Sequence, residues 1–527
     1  MKLPIDAFKK FFDTEIFELI TLETNYYGLL KYEKANKNWI PVTYEQIQSF
    51  IGILIFMGFH KLPKINDYWS NDITMYTPFV RKAMTKDMFW TLWTTIHLNK
   101  NDEDDHTDKF FKVRKLTDAL RIRFQNHWTL GSRISIDESM IKFKGLSNVK
   151  QYMPAKPIKW GYKMWSMCDS NGYLFNFDFY SGKNPDRVLS VGEEVVLELT
   201  KNNNFSDKQV YFDNFFTGLP LLRILHQKNI AATGTINKTR KFFPSELKKN
   251  EKMKRGDSKY FCDGQITVVK WQDNKTVFFA SNFTSPNLIS SVERWDKKSN
   301  KRIDISCPVI VKDYQKHMKA VDLLDQRTSY YDIDRRSKRN WFRIFQKFVE
   351  IVSFNSYLCF IDKTGSKVEF IEYLKDLSKS LVSTYSPLKR IGRPIDYSAQ
   401  KKARILKKNH DDQHPPQLQN HLPHAYYGSE RHQCSACSTS SKPVKTIFYC
   451  NFCNLSFCIN RNKNCFANHH HSIVHLPQIF DTSKPNRCSL CSTSSKQVNT
   501  IFYCKHCCLP FCIKRKKNCF AIYHNDL

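Results

Sequence analysis

Hydrophobic residues recur at helical spacing through the first 130 residues of the chain. In the stretch 43–63 the apolar side chains share one face of a helix: Ile47, Phe50, Ile51, Leu54 and Ile55. Thr43, followed by two polar residues, suits the start of that helix. Two further helices are predicted over the aromatic-rich stretches 85–98 and 112–128. Residues 1–130 are therefore predicted to form a helical region.

From Gly131 onward the pattern changes to the alternation and short apolar runs that are typical of strands. A short strand is predicted to end in an Asp-Glu pair at Asp137, and another carries Asp213 near its end. Two strands flank a turn at 169–172. The remaining elements predicted before residue 243 are helices over 192–202 and 218–228 and a strand over 229–236. Interleaved strands and helices indicate a mixed α/β sheet.

Residues 243–310 are again strand-like, with a predicted hairpin whose turn is Asp273-Asn274. We interpret this segment as an insertion, because one helix starting near Val311 is expected to complete the preceding domain. The resulting organisation is an α/β domain split in two, with a second helical region after it and a basic linker before the tail. Its predicted bounds are 131–242, 243–310, 311–330, 331–375 and 376–431.

Charge is the first functional signal. The 527-residue chain carries 82 Lys and Arg against 50 Asp and Glu, a formal charge of +32. Such a field attracts polyanions, of which nucleic acid is the commonest, although a lysine-rich surface that only aids solubility is the alternative. The longest apolar run, Ile51–Phe59, is far shorter than the roughly 20 residues that cross a bilayer, so no membrane partner is expected.

The tail is an internal repeat rich in cysteine. Residues 434–471 and 488–525 are identical at 26 of 38 positions, and 13 of the 17 cysteines lie after position 430. Because neither copy is long enough to build an apolar core, we expect bound metal ions to stabilise each copy. Two zinc modules are therefore predicted, over 432–475 and 486–527.

Each copy has the spacing C-x2-C-x12-C-x2-C-x4-C-x6-C followed by a histidine, which predicts a cross-brace with up to two zinc ions per module. The predicted ligands of the first copy are Cys434, Cys437, Cys450, Cys453, Cys458, Cys465 and His470. Those of the second are Cys488, Cys491, Cys504, Cys507, Cys512, Cys519 and His524. Two tetrahedral zinc sites need eight ligands, and each copy supplies seven. In the first copy the eighth ligand could be His432, His469 or His471. Ubiquitin ligases and chromatin readers also carry cross-braces.

Four aspartates are positioned to meet. Asp137 and Asp213 close predicted strands, while Asp322 and Asp325 share one face of a predicted helix. Carboxylates brought together need a cation, and two magnesium ions so bound would support phosphodiester chemistry. On spacing alone, helix caps or solvated turns are the competing interpretation.

Several motifs occur in a fixed order that resembles the piggyBac transposases. They are IDESMIKFKG at 136–145, QYMPAKPIKWGYKMWSMCDSNGY at 151–173, VYFDNFFTG at 210–218, VDLLDQ at 321–326 and RRSKRNW at 335–341. The resemblance covers about residues 7–360 and then the cysteine tail. It implies an RNase H-like fold with a catalytic metal site formed by Asp137, Asp213, Asp322 and Asp325.

The resemblance also implies the reaction and the partners. A homodimer would cut double-stranded DNA at transposon ends through a hairpin intermediate and join the ends to TTAA targets, with the zinc tail bound inside the ends. Trp341 would stack on unpaired DNA, or else be a core residue. Lys156, Lys159 and Lys163 would contact phosphate, or else be solvated. The alternative function is a domesticated DNA-binding protein that no longer cuts. Two cysteine modules where one is usual leave the tail's DNA preference open.

Nuclear localisation is expected from the basic stretch 389–408, which includes Lys401, Lys402, Arg404, Lys407 and Lys408. A fluorescent fusion that lacks residues 387–410 should accumulate in the cytoplasm, whereas the full chain should be nuclear in the same cells. A deletion that remains nuclear would contradict this assignment of the signal and leave the stretch as a solvated linker.

Overall fold

A computed structural model describes most of the chain up to residue 383 and parts of the tail. The described ranges are 2–182, 188–201, 205–249, 251–297, 299–337, 339–383, 423–425, 431–439, 443–450, 455–459, 464–466, 477–479, 486–489, 499–500, 502–504, 510, 513–514 and 517–519. The chain divides into two compact units, Met1–Pro387 and Leu388–Leu527. The predicted nuclear signal lies outside the described residues.

The N-terminal region is helical, as predicted. Its helices are α1 (Pro4–Phe8), α2 (Thr14–Lys34), α3 (Tyr44–Phe59), α4 (Pro78–Ala83), α5 (Lys86–Thr95) and α6 (Phe111–Asn126). Helix α3 begins where the sequence predicts, because Thr43 and Gln46 form a reciprocal cap. The Gln46 N–H donates to the Thr43 hydroxyl at 3.3 Å, and the Thr43 N–H donates to the Gln46 side chain at 3.0 Å.

A mixed sheet forms the centre of the first unit, in agreement with the predicted α/β class. Its strands are β1 (Arg133–Lys142), β2 (Gln151–Tyr152), β3 (Trp160–Asp169), β4 (Leu174–Phe179), β5 (Gln209–Phe212), β6 (Ala231–Thr235), β7 (Ser258–Cys262), β8 (Thr267–Gln272) and β9 (Thr276–Ser281). The order is β2-β3-β1-β5-β6-β9-β8-β7, with β4 paired to β3. Strand β1 runs antiparallel to β3 and parallel to β5, which is parallel to β6. Helices α7 (Val191–Leu199) and α8 (Leu219–Gln227) occupy the connections.

The segment predicted as a β-rich insertion is joined to this sheet. The predicted hairpin is present as β8 and β9, and β9 pairs antiparallel with β6, so β7 to β9 extend the main sheet. The segment also holds α9 (Ser245–Lys248) and a two-stranded ribbon of β10 (Ile289–Asp296) and β11 (Lys301–Pro308). The prediction of strands is confirmed, and their pairing shows that they share the sheet of the flanking domain.

The prediction of a single helix starting near Val311 is wrong, because two helices occupy this stretch. They are α10 (Val309–His317) and α11 (Ala320–Tyr330). At the break the Met318 carbonyl accepts a hydrogen bond of 2.7 Å from the Ser135 hydroxyl on β1. This contact fixes the start of α11 against the strand that carries Asp137.

Helix α12 (Asn340–Thr364), followed by α13 (Phe370–Ser383), packs into the core. Among the described residues, α12 alone is long and apolar enough to cross a bilayer by length and composition, and 89% of its apolar window is buried inside the protein. The Asn355 side chain bonds both backbone groups of Leu174, at 3.0 and 2.9 Å, and so ties this helix to β4. These contacts are those of a core helix in a globular domain.

In the second unit the repeat begins earlier than the cysteine pattern suggests. Strand β12 (Pro423–Ala425) pairs with β15 (Phe448–Cys450), and the corresponding β16 (Pro477–Ile479) pairs with β19 (Phe502–Cys504). The other short strands are β13 (His432–Gln433), β14 (Lys445–Thr446), β17 (Asn486–Arg487), β18 (Asn499–Thr500), β20 (Ile513–Lys514) and β21 (Lys517–Asn518). The leading strands lie outside the predicted bounds 432–475 and 486–527, because their sequences are only three residues long and carry no cysteine.

Candidate active site and cysteine cluster

Strands β1 and β5 bring two of the predicted aspartates together. Asp213 directly follows β5, as predicted, and the parallel register pairs Ile136 with Phe212, so Asp137 and Asp213 are lateral neighbours. The expectation that Asp137 ends its strand is wrong, because pairing with β3 continues as far as Lys142. Gly161 permits this continuation, since a Cβ at that position would lie 2.0 Å from the Ile141 carbonyl oxygen.

Three carboxylates form a compact group, which we call the carboxylate cluster: Asp137, Glu138 and Asp213. One oxygen from each lies within 4.8 Å of the others. Burial raises the pKa of Asp137, whose exposed fraction is 7%, to about 7, and burial also raises the pKa of Asp213. Glu138 was missed from the sequence because strand alternation places consecutive side chains on opposite faces. Its position directly after Asp137 was the available signal.

Two lysines partner Glu138. The Lys156 ammonium lies 3.3 Å from one carboxylate oxygen, and the Lys163 ammonium lies 3.8 Å from the other. Lys163 is buried, with its ammonium 4.1 Å from the ring centre of Trp165 and 4.4 Å from that of Phe215. Lys163 therefore compensates charge inside the protein. Phosphate contact by Lys156, Lys163 and the exposed Lys159 stays a prediction.

Helix α11 carries the other two aspartates to β1. Burial raises the pKa of Asp325, and the Ser139 hydroxyl, two residues beyond Asp137 on β1, partly opposes that rise. Asp322 is exposed and lies outside the carboxylate cluster. Burial lowers the pKa of Lys156, but Asp137, Glu138 and Asp322 together raise it above its ordinary value. Lys156 thus lies in the field of both strand and helix carboxylates.

Trp341 packs inside the protein, with an exposed fraction of 8%. Its ring lies edge-on to His97, with ring centres 5.4 Å apart, and the Arg339 guanidinium lies 4.8 Å from its ring centre. Stacking of Trp341 on unpaired DNA stays a prediction, and it would require this packing to open.

In the second unit four thiols of the first repeat converge, and we call them the cysteine cluster: Cys434, Cys437, Cys458 and Cys465. Their sulfur atoms lie within 4.8 Å of one another. Burial raises the pKa of the Cys434 thiol, but N–H groups that include that of Cys458, 3.3 Å from the sulfur, lower it to about 7 overall. The cluster joins the first and third cysteine pairs and passes over Cys450, which is the interleaving that a cross-brace requires.

The remaining predicted ligands are only partly described. Cys488 and Cys519 are buried, and Cys504 lies in β19. The predicted ligands outside the described residues are Cys453, His470, Cys491, Cys507, Cys512 and His524.

Comparison with known proteins places this geometry in a family. A family model described as Transposase IS4 matches residues 3–357. The human PiggyBac transposable element-derived proteins 2 and 3 are each 30% identical to the chain, over 67% and 71% of it and over 60% and 64% of their own lengths. The chain therefore spans about three-fifths of the length of these relatives.

Solved structures agree with the sequence comparison. A cryo-EM structure of a piggyBac transposase synaptic complex with hairpin DNA has a TM-score of 0.65 and 25% identity to this chain. The match covers 74% of this chain and 83% of that one. With the ordered motifs and the paired aspartates of β1 and β5, these matches show that the chain belongs to the piggyBac transposase family.

Proposed function

We propose that the chain is a metal-dependent DNA transposase that performs cut-and-paste transposition. The observation that carries this proposal is the carboxylate cluster, with helix α11, which bears Asp322 and Asp325, packed against β1. In this reaction a transposon end is cut through a hairpin intermediate and joined to a TTAA target. An excision assay on a plasmid that carries the element's own ends tests it.

The arrangement fits an RNase H-like catalytic domain. Strands β4, β3 and β1 are successive antiparallel neighbours, and β5 and β6 follow parallel to β1. We assign 131–242 and 311–330 as its two halves and 243–310 as the segment between them. Residues 1–130 and 331–375 would be the helical regions that hold DNA and the second subunit of a homodimer.

The residues of the cluster suit magnesium. Carboxylate oxygens are hard ligands, and three of them so close together repel one another unless a cation lies between them. Asp137 and Asp213, with Asp322 and Asp325 from α11, would hold two ions. When bound, such a pair activates a water or a 3′-hydroxyl and stabilises the leaving oxygen.

The chain's own side chains then have separate tasks. Asp137 and Asp213 are held by backbone pairing of β1 and β5, which fixes their separation. Glu138 anchors Lys156 beside them, and the ammonium would meet the negative charge of a DNA phosphate. Lys163 balances Glu138 from the interior.

The cysteine cluster supports zinc as the structural metal of the tail. Four thiols are the ligand set of a closed tetrahedral zinc site. We propose up to two ions in each repeat, a tail bound to sequences within the transposon ends, and action in the nucleus.

A DNA-binding protein that no longer cuts is the second candidate. The human relatives are named as element-derived proteins, which favours it. Against it, all four aspartates implied by the family motifs are present, and β1 and β5 hold two of them together.

The cleavage assignment predicts the effect of three substitutions. Asp137→Asn, Asp213→Asn or Asp322→Asn should each slow strand cleavage in magnesium by roughly a hundredfold or more, with DNA binding retained, because only ion binding is damaged. Asp207 is exposed in the loop before β5. The variant Asp207→Asn is therefore the matched control and should cleave DNA normally. Full cleavage by any of the three would remove that residue from the site.

The raised pKa of Asp137 predicts that the free energy of unfolding of the metal-free protein depends on pH. Since the folded-state pKa is near 7 and the unfolded value near 4, the unfolded chain binds fewer protons between them, so stability falls as pH rises through that window. In EDTA, Asp137→Asn should gain about 3 kcal/mol over the wild type between pH 5 and pH 8. Thermal unfolding measures this gain, Asp207→Asn should show none, and an equal difference at both pH values would contradict the assignment.

The duplicated tail predicts bivalent binding to a repeated DNA motif. Removing residues 477–527, the whole second repeat as the strands define it, should weaken end binding by more than roughly tenfold, because the second contact is intramolecular. The loss should shrink on DNA that carries one copy of the motif. Equal end binding and excision by both chains would indicate a second repeat without a role.

A further inference from the structure

The segment between the carboxylate cluster and the end of β3 has an unusual surface. Residues 139–168 contain six lysines, five of which are at least partly exposed, and no acidic residue. Two aromatic side chains on this segment are solvent-exposed, Tyr152 by 52% and Trp160 by 43%. A basic surface with exposed aromatic rings has the composition that binds single-stranded nucleic acid.

Tyr152 and Trp160 pack ring against ring as one exposed pair, which we call the aromatic platform. They are direct cross-strand partners in β2 and β3, and their ring centres lie 4.4 Å apart with the planes inclined by 32°. The Trp160 carbonyl accepts a hydrogen bond of 3.0 Å from the Phe143 N–H, so the backbone under the indole is held from both sides. The platform is therefore positioned before any ligand binds, which lowers the entropy cost of stacking.

A cation accompanies the rings. The Lys150 ammonium lies 5.0 Å from the Trp160 ring centre and donates to the Gly145 carbonyl at 2.7 Å. Lys159, next to the indole in sequence, is exposed. A phosphate that follows a stacked base would meet positive charge on this surface.

One short loop links the platform to the carboxylate cluster. Tyr152 and Trp160 stand at the two ends of residues 153–159, which the Met153 N–H closes by donating to the Lys159 carbonyl at 2.8 Å. Lys156, in the middle of this loop, reaches Glu138. Trp160 lies five residues along β3 from Trp165, the cross-strand partner of Glu138, which is about 17 Å along the strand. A DNA strand that extends a few nucleotides beyond the cluster therefore reaches the platform.

We propose that the aromatic platform stacks on unpaired bases of the DNA strand next to the cut. The inference rests on the proposed function and adds a binding site for unpaired nucleotides. Unpaired bases are the fitting ligand because a duplex buries its base faces, whereas an opened end presents them. Two aromatic rings that only packed the hydrophobic core would be covered by other side chains. The rings of Tyr152 and Trp160 are instead exposed beside lysines, which fits a binding site.

Equilibrium binding with a matched pair of DNAs tests the platform. One DNA is a blunt duplex, and the other has the same duplex with four unpaired nucleotides that include 2-aminopurine. Trp160→Leu removes the stacking face and keeps an apolar side chain. It should weaken binding to the unpaired DNA roughly tenfold and leave the blunt duplex unchanged. The exposed Trp295 on β10 provides the control Trp295→Leu, which should change neither.

Fluorescence of the 2-aminopurine gives a second measurement on the wild-type chain. Stacking should quench it on binding, and Trp160→Leu should remove the quenching. Equal losses on both DNAs, no loss, or better binding of a single-stranded RNA than of the unpaired DNA would each overturn the proposal. A wild-type chain that never cleaves but shows Trp160-dependent quenching would refute the proposed cleavage and leave the platform standing.

Discussion

Mutual repulsion among one buried and two half-buried carboxylates is the constraint around which the first unit is arranged. The oxygens of Asp137, Glu138 and Asp213 lie within 4.8 Å of one another, and burial removes the water that would otherwise screen them. Lys156 and Lys163 compensate Glu138, and burial raises the pKa of Asp137 to about 7. Such an arrangement is costly for stability alone, and the proposed divalent cation would offset that cost.

The fold holds these charges in place through backbone contacts. Strand β1 pairs with β3 on one side and with β5 on the other, and the pairing with β5 fixes Asp137 and Asp213 side by side. The Ser135 hydroxyl binds the Met318 carbonyl at the break between α10 and α11 and so sets where α11 begins. Strand β5 and helix α11, which bring the other aspartates, thereby both contact β1.

Much of this architecture could be predicted from the sequence, because amphipathic periodicity and turn residues are local signals. The start of α3 at Thr43 and the hairpin around Asp273 are examples. Non-local pairing escaped prediction. The extension of β1 beyond Asp137 depends on β3, the break at Met318 depends on Ser135, and Glu138 joins the cluster against simple strand alternation. The leading strand at Pro423 was missed because its partner is Cys450, 27 residues later.

Iron-directed cleavage of the protein chain tests most directly whether the aspartates share a metal site. With Fe²⁺ in place of Mg²⁺ and with ascorbate and peroxide, hydroxyl radicals cut backbone close to the bound ion. The account predicts cuts near Asp137, Asp213 and Asp322 together, suppressed by excess Mg²⁺ and absent in Asp137→Asn. Cuts confined to the cysteine tail, or cuts near the aspartates that persist in Asp137→Asn, would contradict a shared carboxylate metal site.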